Sequence, residues 1–180
     1  DRAVLHVALR NQSPTPLYLD RTDVHQQVRD ELSRMQQFVA AVRSGAWRGY
    51  SGKEIKDVVN LGVGGSNLGP QMVTEALKDI SDHHLQTHYV SNVDGAHIAD
   101  TLKGLDPATT WVNVASKAFT TVETMTNAHT ARDWMAAGGG DPARQFSAIT
   151  TAAERAGAFG IPEERVFGFA DWVGGRFSVW

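Results

Sequence analysis

Val24, Val28, Leu32, Met35, Val39 and Val42 recur at steps of four, four, three, four and three, the spacing that lines one face of a helix. Thr22 and Asp23 suit the start of that helix and Gly45 the position after its end. Ahead of it, residues 1–19 read as a short helical or extended piece closed by a turn at Ser13–Pro16 ("SPTP"). Behind it, Ser44–Lys53 ("SGAWRGYSGK") has the composition of a linker.

From residue 57 the apolar positions come in short runs. Asp57–Val63 ("DVVNLGV"), Thr87–Asp94 ("THYVSNVD"), Thr110–Ser116 ("TWVNVAS"), Gln145–Thr150 ("QFSAIT") and Arg165–Phe169 ("RVFGF") read as strands. Helical stretches follow the first three, over 68–80, through Ile98 and Leu102, and from about Thr120 to Ala136. The chain breaks at Gly138–Pro142 ("GGGDP"). Strands alternating with helices predict an α/β fold, a parallel sheet with helices on both faces. The division expected is a helical segment over residues 1–50 and a sheet domain over 51–180. In such sheets ligands sit at the carboxyl ends of the strands.

Composition narrows the function classes. The chain has 180 residues, 42% hydrophobic and 21% charged, which suits a globular domain able to bury roughly 70% of its unfolded surface. A net charge of −3, from 17 Lys and Arg against 20 Asp and Glu, gives no electrostatic case for nucleic acid or an anionic membrane. There are no cysteines, so thiolate chemistry, disulfides and cysteine-based zinc sites are excluded. The seven histidines show no metal-ligand spacing; His97 is the one placed near a strand end, and it reads as structural. No apolar run approaches a membrane span. The start "DRAVLHVALR" is too charged for a signal peptide, and both ends read as cut.

Three loops carry candidate chemistry. Gly62–Gly69 ("GVGGSNLG") joins a strand to a helix, so its glycines let an anion approach the backbone and the helix N-terminus, and Ser66 can add a hydroxyl. The alternative is a tight turn that merely needs glycine. Its match to a dinucleotide fingerprint fails, because the sixth position is Asn67 and no acidic residue ends a strand about 20 positions on. Ser116–Thr121 ("SKAFTT") repeats the arrangement with hydroxyls at Ser116, Thr120 and Thr121 and a cation at Lys117, a set suited to a phosphate monoester; the alternative is a polar helix cap beside a solvated lysine. In Asp171–Ser178 ("DWVGGRFS") a glycine turn precedes Arg176, which can stabilise a developing oxyanion or simply pair with Asp171. No carboxylate stands out as a base.

With Arg2–Asn11 ("RAVLHVALRN"), Gly64–Leu77 ("GGSNLGPQMVTEAL"), His88–Ile98 ("HYVSNVDGAHI"), Ala115–Trp134 ("ASKAFTTVETMTNAHTARDW") and Asp171–Trp180 ("DWVGGRFSVW"), the sequence resembles the phosphoglucose isomerase family over nearly its whole length. The resemblance implies most of the first sugar-isomerase (SIS) domain: a three-layer αβα sandwich, flavodoxin-like, with a five-stranded parallel sheet. It implies reversible conversion of glucose 6-phosphate to fructose 6-phosphate through an enediol, without a metal or organic cofactor, in a cytoplasmic homodimer. Gly65, Ser66, Ser116, Lys117 and Thr121 would then hold the phosphate, and Arg176, with Gly175 beside it, the enediolate. The family's base, ring-opening histidine and C-terminal active-site lysine would lie beyond these residues, which leaves the segment alone with little activity. Two positions depart from the pattern: Ala118 stands where a phosphate-contacting threonine is usual, and Asn67 where an aspartate is. The competing class is a non-catalytic SIS module that senses a sugar phosphate.

Overall fold

The structure is a computed structural model and describes residues 5–81 and 84–175. A 3-10 turn at His6–Arg10 leads to a two-stranded hairpin, β1 (Tyr18–Leu19) and β2 (Thr22–Asp23). Helix α1 (Val24–Arg43) follows directly, capped by Asp23, whose carboxylate accepts the N–H groups of His25 and Gln26. Then come β3 (Asp57–Leu61), α2 (Gly65–Ala76), β4 (Gln86–Val90), α3 (Gly95–Lys103), β5 (Thr110–Ala115), α4 (Val122–Ala137), the single turn α5 (Pro142–Gln145), β6 (Phe146–Ile149), α6 (Ala153–Phe159) and β7 (Val166–Phe167).

The last five strands form one parallel sheet in the order β4-β3-β5-β6-β7. Alternation along the strands sends Val59, Leu61, Val112, Val114, Phe146 and Ala148 to one face, where they pack with Ile98 and Leu102 of α3, Ala128, Ala131 and Met135 of α4 and Ala156 of α6. The opposite face carries Val58 and Trp111, covered by Phe38 and Val42 of α1. Tyr89, on this second face, joins α2 through a 2.6 Å hydrogen bond to Thr74. This is the three-layer sandwich expected, and the strand order reverses between β3 and β5, where such folds open a crevice.

Two expectations need correction. The inward face of α1 does not include Leu32 and Val39, which are 51% and 48% exposed. At 100° per residue they lie about 80° and 60° around the helix from Val24, whereas Glu31 and Phe38 lie only about 20° and 40° away. Glu31 turns inward because its carboxylate accepts the Gly168 N–H at 2.8 Å. The stretch read as a linker is docked: Trp47 packs edge-to-face on Phe38 and Trp111, and the Tyr50 N–H donates to Gln145 at 2.8 Å. The hairpin, α5 and α6 were not visible in the hydrophobic pattern, and α2 begins three residues earlier than its periodicity shows.

The N-terminal turn and hairpin have a core of their own. Ala8 and Val24 bury Trp172 and Val173, with Leu5, Leu17, Leu19 and Phe169 around them. That small core anchors the segment leading to Gly174 and Gly175.

Candidate functional site

The β3–α2 turn forms because the chain has no room for a side chain at its first position. A Cβ on Gly62 would stand 2.8 Å from the Ser66 carbonyl and 2.9 Å from its Cβ. Gly64 then takes φ +55° and ψ −123°, a backbone state that side-chain-bearing residues rarely adopt. The result is a helix that starts at Gly65 with no side chain over its N-terminus.

The β5–α4 loop is built differently. Phe119 is buried and holds φ +53°, a strained setting for a bulky residue. The loop is pinned from beneath: the Lys117 carbonyl accepts both hydroxyls of Thr150 and Thr151 at 2.9 and 2.8 Å and the Thr151 N–H at 2.9 Å. The Ala118 carbonyl accepts from Arg155 at 2.7 Å. Above, Ser116 donates its hydroxyl to Thr121 at 3.2 Å. Helix α4 begins after Thr121, again without a side-chain cap.

The α-helices divide in how they begin, and α6 too has no side-chain cap. Helices α1, α3 and α5 each place an Asp carboxylate on their first N–H groups, from Asp23, Asp94 and Asp141. Helices α2 and α4 have no side chain over their starts, so the positive dipole end of each can face an anion, although in α2 the Ser66 and Asn67 N–H groups already donate to the Val63 and Gly64 carbonyls at 3.1 Å.

Both starts open onto one cavity of about 1360 Å³ at the carboxyl ends of β3, β5 and β6. Gly65, Ser66, Ser116, Lys117, Thr121 and Gly175 all line it. These six reach the same space, whereas the third candidate hydroxyl of the SKAFTT loop, Thr120, is exposed and does not line it. Arg176 lies outside the described residues. Asn60, Thr124, Thr150 and Thr151 also line the cavity and were not singled out from sequence; Thr150 ends a predicted strand and Thr151 follows it, which was the available signal. Ala118 is exposed and is not part of the lining, and neither is His97. Asn67 sits inside α2, buried, donating to Gln71 at 2.9 Å.

Lys117 is not a loose cation. Its ammonium donates to the carbonyls of Asp171 and Val173, each at 2.8 Å. An ammonium has three donors, so one remains beyond those two. The cavity wall from α1 carries Asp30, Glu31 and Arg34, and each has a partner on the same helix: Glu31 bridges Arg34 at 2.8 Å and Asp30 accepts from Gln26 at 2.6 Å. Chemically, the floor offers hydroxyls, helix N–H groups and one fixed cation, which together suit a tetrahedral oxyanion. Among the described residues no cluster of His, Asp and Glu side chains is arranged to hold a metal ion, and no helix is long and apolar enough to cross a membrane.

The chain has relatives among known proteins. The family model for phosphoglucose isomerase matches residues 1–180. The chain is 63% identical over 179 residues to a glucose-6-phosphate isomerase of Ruegeria pomeroyi, covering 99% of this chain and 33% of that protein. The chain therefore spans about a third of the length of this curated relative. Among solved structures it resembles a glucose-6-phosphate isomerase of Chlamydia trachomatis, with a TM-score of 0.81 at 29% identity over 98% of this chain and 32% of that one. It also resembles a hypothetical protein of Thermus thermophilus, with a TM-score of 0.67 at 28% identity over 83% of this chain and 34% of the other.

Proposed function

The chain belongs to the phosphoglucose isomerase family, and from that premise we propose that it supplies the phosphate-binding part of a glucose-6-phosphate isomerase site. The observation that carries the proposal is the meeting of two uncapped helix starts in one cavity, with Ser66 on one and Ser116 and Thr121 on the other. A phosphate dianion needs several donors at once. The positive ends of the α2 and α4 dipoles, three hydroxyls and the remaining donor of Lys117 meet that need without a carboxylate cap to repel it.

Binding energy at the phosphate then orients the reacting end of the sugar. The reaction moves a proton between C1 and C2 through an enediol, so negative charge develops on the sugar oxygens. In this reading Arg176, the residue after Gly175 in the sequence, stabilises that charge. The proton-abstracting base, the ring-opening histidine and the C-terminal active-site lysine come from chain beyond these residues, the histidine from the partner of a homodimer. The enzyme is cytoplasmic, needs no metal or organic cofactor, and interconverts glucose 6-phosphate and fructose 6-phosphate. The segment of 180 residues has little activity by itself, because a positioned base is typically worth 10²–10⁴-fold.

A coupled isomerase assay tests this on a protein of the relatives' length that includes this chain. Turnover is expected, with Arg176→Ala lowering kcat on the order of 10²–10³-fold. Hexose-phosphate binding with no turnover would support a sensing module instead.

A further inference from the structure

Ser66 sits where α2 cannot complete its own hydrogen-bond ladder. Inside a helix the carbonyl of residue 66 accepts from the N–H of residue 70. Residue 70 is Pro70, within α2, and proline has no N–H to give. The missing donor comes from the sheet: Asn60 Nδ2 donates to the Ser66 carbonyl at 3.1 Å.

Asn60 is in turn held by a chain of hydrogen bonds that crosses the sheet. Trp111 Nε1 donates to Ser147 Oγ at 2.8 Å, Ser147 Oγ to Asn113 Oδ1 at 3.0 Å, and Asn113 Nδ2 to Asn60 Oδ1 at 2.8 Å. Asn60, Asn113 and Ser147 are in register on β3, β5 and β6. The direction of the chain is fixed from its far end. An indole N–H only donates, so the Ser147 hydroxyl turns its proton to the Asn113 oxygen, and each amide then presents its NH₂ to the next acceptor. The chain ends on the one carbonyl that Pro70 leaves without a helical partner. Such a sheet, covered on both faces, ordinarily carries apolar residues at these positions.

We propose that Asn60, backed by Asn113, Ser147 and Trp111, is a positioning residue for the phosphate-binding turn. It replaces the hydrogen bond that Pro70 removes and so holds the Ser66 backbone, and with it the Ser66 side chain and the first turn of α2, in place beside the cavity. The proposal rests on the phosphate reading of that turn. Gly62 fits it, since only a residue without Cβ lets the Ser66 carbonyl press against the end of β3.

Inorganic phosphate probes the turn without the rest of the substrate. Its dissociation constant is measured by calorimetry on the whole protein, with the melting temperature alongside. Asn60→Ala is expected to raise that constant about tenfold, the effect of losing one hydrogen bond from an otherwise buried carbonyl. Pro70→Ala restores an N–H at position 70 and is expected to change wild-type affinity less than about twofold. In the double variant that N–H reaches the Ser66 carbonyl directly, and affinity returns to within about threefold of wild type. A purely structural Asn60 would lower the melting temperature and leave phosphate affinity unchanged, which overturns the proposal. So does a double variant no better than Asn60→Ala. If Asn60→Ala does not fold, Asn113→Leu removes the donor to Asn60 without adding a charge near the anion; a rise of about threefold, reversed by Pro70→Ala, is expected, and no rise overturns the proposal. Absence of phosphate binding by the wild type marks failure of the phosphate reading itself.

Discussion

The Lys117 ammonium lies 2.8 Å from the Val173 carbonyl and, by the same length, from that of Asp171, so the lysine of one loop fastens the segment that leads to Gly174 and Gly175. Val173 is buried in the small N-terminal core. The first turn of the chain, the hairpin and the β5–α4 loop thus act together on one wall of the cavity. Lys117→Met keeps the stem and removes the charge. It is expected to weaken phosphate binding about tenfold or more, as loss of a charge-assisted bond does, and to speed amide exchange in residues 171–175. Unchanged exchange there would mean that the N-terminal core alone holds the segment.

Ala118→Thr returns a hydroxyl to a position where the family pattern has one. Ala118 is exposed, so the added atoms meet no packed neighbour. Affinity for a phosphate analogue is expected to rise about threefold to tenfold, within the range of a hydrogen bond to a charged group. Equal affinities, measured by calorimetry, would show that the threonine side chain does not reach the anion.

Asp106 lies at the opposite end of β5 and its effect should appear in stability rather than binding. The Ala108 N–H and then the Lys53 ammonium, bonded at 2.9 and 3.0 Å, hold its carboxyl below the usual carboxylate range. A lowered folded value means stability that is present above about pH 4, the unfolded aspartate value, and lost as pH falls through the folded value. The side chain is half exposed, so screening limits the contribution to about 1 kcal/mol or less. Chemical denaturation of Asp106→Asn is expected to give a flatter decline between pH 5 and about pH 3 than the wild type. Parallel curves would contradict this.

Arg165 is buried against the indoles of Trp47 and Trp111, 5.4 and 6.0 Å from the ring centres. Its Nε and Nη1 have no partner among the described residues, and burial pulls its pKa below the ordinary arginine value. Its one carboxylate, Glu164, is 3.5 Å away and largely exposed. A charge so poorly compensated costs stability. Arg165→Met is expected to leave the unfolding free energy unchanged or raise it by about 1–3 kcal/mol. A loss above about 2 kcal/mol would show that the two indoles compensate the guanidinium fully.

Much of the sheet was legible because its strands end in glycine or hydroxyl residues and its helices repeat at helical spacing. The loops that carry Ser66, Ser116, Lys117 and Thr121 stood out for the same reason: small and polar residues concentrate at strand ends, where the fold leaves space; Gly65 followed from the family resemblance. Asn60 could not be. Its role depends on a proline ten residues on and on register with Asn113 and Ser147, and neither relation is local. Lys117 read as a lone cation because its two carbonyl partners lie more than 50 positions away. The face of α1 was misjudged at Leu32 and Val39 because an apolar side chain can also line a cavity, as Leu32 does.

Calorimetric titration of glucose 6-phosphate and of glucose, into the wild type and Ser116→Ala, bears most directly on the phosphate-binding cavity. The expected result is saturable binding of glucose 6-phosphate, no comparable heat from glucose, and at least about tenfold weaker binding in the variant. Equal responses to the two sugars, or a Ser116→Ala curve that overlays the wild type, would contradict a phosphate site at the open starts of α2 and α4.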